Sequence, residues 1–251
     1  MSTTPAPAPF VTRALAQARF EAGILLRNGE QLLVALVLPA LALVALTYAS
    51  YPDLGPDRRI DVAAPGTLAL AVISTAFTGQ AIQTGFDRRY GVLRYLGTTP
   101  LGRSGLLVGR AGGVLVVLAL QTVVLGALGL ALGWHPRWIG VPAALVTLVL
   151  GAWCFVALAL AFAGSMRAEA VLALANLVWV LLLGLGGVLL PVDTLPAGVS
   201  HIVRWLPSAA LGDGMRAPLL HGSWPWLAHL VLIAWALIFT LWATRTFRWR
   251  D

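Results

Sequence analysis

The chain has 251 residues, 59% of them hydrophobic and 11% charged, with a formal net charge of +7. Soluble domains carry about a quarter charged residues, and no soluble core of this length needs repeated apolar runs of about 20 residues, the length that spans a bilayer. The composition therefore excludes a soluble globular domain and marks an all-α, polytopic membrane protein.

All 17 basic residues are Arg. They lie in short segments between apolar runs, where they orient a chain in a membrane, and are not gathered into one domain that would hold nucleic acid. Without Lys there is no phosphate-binding loop of the form G-x-x-x-x-G-K-[ST], so if ATP powers this protein another chain binds it. The single cysteine, Cys154, lies inside an apolar run. It excludes an intramolecular disulfide and a multi-cysteine metal site, and reads as a small core residue.

In chain order, residues 1–9 read as a disordered tail, with no basic segment leading into a short apolar core and hence no cleaved signal peptide. From 10 to 28, Phe10, Ala14 or Leu15, Ala18, Ala22 and Leu25 recur at helical spacing, with Arg13, Gln17 and Glu21 on the other side. This pattern predicts a helix lying on the membrane surface, or else an ordinary charged lead-in. Six spans are then expected near 31–50, 66–84, 107–132, 139–163, 170–190 and 227–244, with Pro39 inside the first. An even number of spans puts both termini on one side. With the N-terminus in the cytoplasm, twelve arginines fall inside and five outside, which selects that orientation.

Between the second and third spans, Phe86 to Arg103 is the most basic segment. Tyr90, Leu93 and Leu96 follow helical spacing, whereas Asp87, Arg88 and Arg94 lie off that stripe, so a short amphipathic helix over 86–96 is expected. Gly97 would end it in a left-handed conformation, and Thr98 or Thr99 would cap a new helix with Pro100 at its first position. The plainer alternative is a charged loop that only fixes orientation. Residues 191–226, between the last two spans, are long yet apolar and rich in Pro and Gly. They predict two short helices, Val199–Leu206 and Ala209–Leu220, broken at Pro207 and dipping into the membrane as a re-entrant or interfacial pair. Trp205, Trp224 and Trp226 would sit at the outer interface.

Polar groups on apolar helices are the candidates for a transport path. On the second span Thr67, Ser74 and Thr78 share a face, with Gln80, Gln83 and Thr84 near its inner end; on the fifth span Asn176 stands close to Trp179. Helix–helix hydrogen bonding is the structural alternative for each. No carboxylate is expected deep in a span, which argues against a proton relay or coupled-ion site. Gly109-x-x-x-Gly113, Gly129-x-x-x-Gly133 and the pair Gly184 and Gly187 suit close helix approach, within the chain or at a dimer seam. The histidines His135, His201, His221 and His229 are expected at the outer side and show no metal-ligand spacing, so no metal site is read. Ser165 lacks the flanking Gly of a nucleophile elbow, and no catalytic set is read either.

Three segments carry a family resemblance. The run Asp87-Arg88-Arg89-Tyr90-Gly91-Val92-Leu93-Arg94-Tyr95-Leu96, continuing through Thr98-Thr99-Pro100-Leu101 to Arg103, resembles the acidic-Arg-x-x-Gly-Thr-Leu-Arg-x-Leu-x-x-Thr-Pro-Leu-x-Arg motif of type-2 ABC exporter permeases. Asp87 stands where Glu is commoner and Val92 where Thr is usual. The segment Pro191-x-x-x-Leu195-Pro196, with Leu206-Pro207-Ser208 and Asp213-Gly214-Met215-Arg216 ending at Gly222, is similar to that family's stretch before its last span. Leu26-Arg27-Asn28 with Pro39 is similar to its elbow and first span.

The resemblance implies a six-span permease that pairs with a second permease chain, identical or not, in the cell membrane and rests on two cytoplasmic ATPase subunits. ATP and Mg would be bound by those partners, with no cofactor and no catalysis in this chain. Residues 86–96 would be the coupling helix: Asp87, Arg88, Arg89 and Arg94 pairing with the ATPase, Tyr90, Leu93 and Leu96 packing into it, Thr99 and Pro100 passing motion onward. Residues 10–28 would be the connecting elbow. Residues 191–226, with Pro191, Pro196, Pro207, Asp213 and Arg216, would form an outer lid, and Ser74, Thr78, Gln80, Gln83, Asn176 and Trp179 would line the path. Exporters of this family move drugs, lipids or polysaccharides, which leaves the cargo open. A secondary transporter or channel independent of ATP is the alternative, and it calls for buried ionisable residues or broken helices at mid-membrane.

Overall fold

The computed structural model describes residues 8–246. The tail to residue 7, and Arg248 and Arg250 from the arginine count, lie outside the described residues. Within them the chain is helical throughout: α1 (Phe10–Arg27), α2 (Gly29–Tyr48), α3 (Arg59–Val72), a π-helical segment (Ile73–Gly79), α4 (Gln80–Arg89), α5 (Val92–Leu96), α6 (Gly102–Ala131), α7 (Val141–Ser165), α8 (Ala168–Leu185), α9 (Ala197–Val203), α10 (Pro207–Arg216), a second π-helical turn (Ala217–His221) and α11 (Trp226–Thr246). Among the described residues four helices are long and apolar enough to cross a membrane: the continuous Arg59–Arg89, Gly102–Ala131, Trp138–Ser165 and Trp226–Thr246. Ala35–Tyr48 and Ala168–Gly184 are shorter apolar helices.

The core forms around α7, which packs against α3, α4, α6, α10 and α11. Its Phe155 and Phe162 meet Phe77 of the π segment with ring centroids 6.5 and 5.7 Å apart, the second pair edge to face. Such aromatic pairs give about 0.5–1.5 kcal/mol beyond simple burial. The extra residue in each π turn widens the helix just where Ile73, Ala76 and Phe77 are driven into this core.

α1 lies along α6, and the face it buries is mixed: Ala14, Ala22 and Leu25 of the apolar stripe are in, together with part of the polar side. Gln17 and Glu21 are buried, at 8% and 2% exposure, whereas Phe10, Val11, Leu15, Phe20 and Ile24 are exposed. The cause is in α6. A Cβ on Gly109 would stand 2.4 Å from Gln17 Cγ, and one on Gly113 would stand 2.6 Å from Glu21 Cβ. The stripe of small residues lets α1 approach closely through its polar side, and Arg110, between the two glycines, supplies the counter-charge. Gly109-x-x-x-Gly113 is thus an intrachain seam. Gly129 instead packs on Trp134, and Gly133 and Gly187 are turn residues with φ of 89° and 70°.

The segment after α8 forms the helices expected of it, with shifted bounds. Pro191 precedes a 3-10 turn, Val192–Thr194; Pro196 precedes α9; Pro207 is the first residue of α10. α10 is buried along nearly its whole length against α3, α7 and α11.

Candidate functional site

The basic element is built differently from a single helix over 86–96. α4 runs on to Arg89, the chain turns at Tyr90, and Gly91 takes a left-handed φ of 78° before α5 begins. Only glycine adopts that conformation without strain. Gly97 is right-handed, at φ −65°. Thr98 and Thr99 do not cap the next helix: their hydroxyls donate to the carbonyls of Tyr95 and Leu96 at 2.7 and 2.6 Å, closing the end of α5. α6 starts at Gly102, so Pro100 lies in the intervening turn and not at a first helical position.

This arrangement divides the expected coupling residues. Tyr90 and Tyr95 are 73% and 72% exposed, and Arg94 is exposed, with no side-chain partner among the described residues. Leu93 is fully buried in its own chain and pins α5 to the core, so it is not an outward anchor; Leu96 packs partly against the same core. Arg88 donates to the carbonyls of Ala163 and Met166 at 3.1 and 3.2 Å, and Arg89 pairs with Glu169 at 2.6 Å. Both arginines tie α4 to the turn between α7 and α8. Tyr95 was not among the residues expected on this surface, because it falls off the Tyr90–Leu93–Leu96 stripe.

Asp87 faces inward. Its Oδ2 lies 2.5 Å from an Arg110 terminal nitrogen, and Arg110 Nε lies 3.5 Å from Glu21 Oε1. Arg110 also donates to Thr84 Oγ1 at 2.7 Å and, at 3.4 Å, to Gln80 Oε1. Glu21 accepts from Gln17 at 2.8 Å and from Gln83 at 3.2 Å. The network spans α1, α4 and α6, with one cation between two carboxylates. In sequence Arg110 is one of the twelve inner arginines that orient the chain, and Glu21 falls on the polar side of α1. The signal that would have found them is an arginine between two close-packing glycines, opposite a Gln and Glu four residues apart.

Gln83 leads from this network into a cleft of about 670 Å³ bounded by α2, the π segment and α8. Ser74, Thr78, Gln83, Asn176 and Trp179 line it, with Pro39 of α2 opposite. Gln80 does not: it is fully buried and turned to Arg110. Trp179 donates its indole N–H to Ser74 Oγ at 2.9 Å, and Asn176 donates to Leu172 O at 3.0 Å. The Thr78 hydroxyl is buried without a hydrogen-bond partner among the described residues. A cleft with apolar walls and a few placed polar groups is a ligand-binding arrangement, and a π-helical wall is a frequent mark of such sites.

At the opposite end of the bundle Arg216 is 5% exposed and donates to the carbonyls of Gly187 and Val188. Asp213 lies 3.2 Å from it. Together they hold the irregular chain after α8 onto α10. His229, expected at the outer surface, is buried, 2.9 Å from Thr147 Oγ1.

The sequence profile of the ABC-2 type transporter family matches residues 12–220. The chain is also 31% identical over 94 residues to "Putative transport permease YvfS" of Bacillus subtilis (strain 168). That alignment spans 38% of this chain and 38% of the relative.

Proposed function

Since the chain belongs to the ABC-2 type transporter family, a family of membrane transport components and not of catalytic enzymes, we propose that it is the permease subunit of an ATP-driven exporter, gripped by separate ATPase subunits at the tip formed by Tyr90, Arg94 and Tyr95. The observation that carries this reading is the split of the basic element: an exposed tip of two tyrosines and an arginine with no side-chain partner among the described residues, fixed to the core by Leu93, Arg88 and the Asp87–Arg110 pair. Tyr and Arg dominate binding energy at protein interfaces. The tip is rigid because α4, α6 and α7 all hold its base.

On this reading Arg110 transmits motion. A shift of the tip moves Asp87, and through Arg110 and Glu21 it reaches Gln83 on the cleft wall. The two nucleotide states of the ATPase bias the permease through different contacts with the tip. The cleft, open on one side between α2 and α8, is half of a path completed by a second permease chain. Six spans fit this scheme, with α2 and α8 counted among them. The 18 residues of α8 reach about 27 Å at 1.5 Å per residue, close to the thickness of a hydrocarbon core. α1 serves as the elbow, its exposed Phe10, Leu15 and Phe20 set in lipid. The buried α10 and the turn held by Arg216 are the re-entrant lid through which cargo leaves. Both termini lie in the cytoplasm, and the tip with them.

Co-purification with the candidate ATPase, followed by ATP-driven efflux, tests the proposal. Tyr90→Ala with Tyr95→Ala removes both assembly and efflux if it holds, and leaves both intact if the tip is only a charged loop. A channel or secondary transporter would instead move cargo in vesicles holding this chain alone.

A further inference from the structure

A second groove, of about 340 Å³, lies between α6 and α7 at the end of the bundle away from the tip. Its walls are almost wholly apolar. Along α6 it runs from Thr122 to Leu130, eight residues or about 12 Å, which is most of one leaflet's share of a core about 30 Å thick. Val123, Leu130 and Leu145 on its rim are exposed, at 69%, 46% and 52%, so the groove opens sideways toward whatever surrounds the two spans.

Two observations say what fills it. Gly126 lines the groove mid-helix, where glycine costs about 1 kcal/mol relative to Ala, yet a Cβ there would meet nothing within 4 Å. Among the described residues no close approach accounts for this glycine, and a larger side chain there would project into the groove. At the end of the groove Pro136 and Trp138 line it; Arg137, between them in sequence, is exposed and not itself in the wall, its backbone N–H bonded to the carbonyl of the lining residue Leu219 at 2.8 Å. The Arg137 guanidinium has no partner among the described residues. Arg58 nearby is already engaged, with Asp61 at 3.8 Å and the Gly133 carbonyl at 3.1 Å.

We propose that this groove is a binding site for one anionic phospholipid, an acyl chain lying along Gly126 and the headgroup phosphate on Arg137. Both halves are needed. Apolar walls alone would take any lipid chain, while the exposed cation carried between two lining residues would select a net negative headgroup, an interaction of the size that one arginine near a bilayer surface gives. The site is separate from the cleft at α2 and α8 and does not depend on which cargo is moved or what drives it.

The test is native mass spectrometry of the purified full chain titrated with phosphatidylglycerol or phosphatidylcholine. One phosphatidylglycerol is expected to bind about fivefold more tightly than phosphatidylcholine. Gly126→Leu, which fills the groove, is expected to weaken both by at least tenfold. Arg137→Ala is expected to abolish the preference and leave phosphatidylcholine binding in place. Val123→Trp covers the same groove from its rim and stands in if Gly126→Leu does not fold. Equal binding of the two lipids by the wild-type chain, or wild-type binding by a folded groove-filling variant, overturns the proposal.

Discussion

Arg110→Met is the sharpest perturbation of the proposed transmission. Arg110 is 1% exposed and faces Asp87 at 2.5 Å and Glu21 at 3.5 Å. Removing one member of a buried charge set leaves its partners uncompensated, at a cost of about 3–5 kcal/mol. The Asp87 side chain is 23% exposed and can rehydrate, and Glu21 keeps its bonds from Gln17 and Gln83, so the lower end, about 3 kcal/mol, is expected. At roughly 2–4 °C per kcal/mol for a chain of this size, Tm falls by about 6–12 °C. The assay is thermal unfolding of the purified chain followed by circular dichroism. Because Glu21 is the more buried carboxylate, Arg110→Met with Glu21→Gln should recover part of the loss, and this non-additivity identifies the pair as coupled. Yet neither variant should restore ATP-driven efflux, since the link between tip and cleft is gone. A Tm within about 1 °C of wild type for Arg110→Met, or a double variant as unstable as the sum of the singles, would show that Arg110 and Glu21 are not a coupled buried pair.

The other predictions concern separate parts of the molecule. Gly113→Leu drives a side chain into Glu21 Cβ and the Ala22 backbone, so α1 should detach from α6, seen as faster proteolysis after Arg13 or Arg19 and a loss of about 1–3 kcal/mol. Arg216→Leu strips the donors from the Gly187 and Val188 carbonyls; at about 1–3 kcal/mol for a buried group left unpaired, Tm should fall, and hydrogen exchange should rise in residues 186–190. Trp179→Phe removes the bond to Ser74 from the cleft wall, and should change efflux by more than it changes Tm. Arg94→Glu reverses the exposed charge at the tip and should weaken ATPase binding about tenfold with Tm unchanged, read by pull-down at two salt concentrations.

Much of the helical plan can be read from the residues. Long apolar runs locate the four helices long enough to cross a membrane, although the expected 66–84 is only the middle of the continuous Arg59–Arg89, and Pro191, Pro196 and Pro207 mark where the short elements after α8 begin. Reading fails where tertiary packing overrides local pattern. The polar stripe of α1 reads as solvent-facing because amphipathicity assigns polar residues outward, but glycines on α6 and a counter-charge at Arg110 draw it in. Gly97 looks like the helix terminator, yet Gly91 takes the left-handed φ, since the break falls between Arg89, tied to Glu169, and Leu93, sunk in the core. In the cleft, the π segment changes the register of the second span, so a regular helical wheel mispaces the faces of Ser74, Thr78 and Gln80. Five of the six residues expected to line a path still meet at one cleft, because polar side chains on apolar helices tend to share the few sites that can satisfy them.

On the proposed function a motor subunit holds the chain at the α4–α5 tip. Cross-linking from Arg94→Cys tests it directly, because Cys154 is buried and leaves little background; Arg137→Cys at the far end serves as the comparison. A covalent adduct with the ATPase is expected from position 94 and none from position 137. An adduct from position 137 with none from position 94 would contradict it.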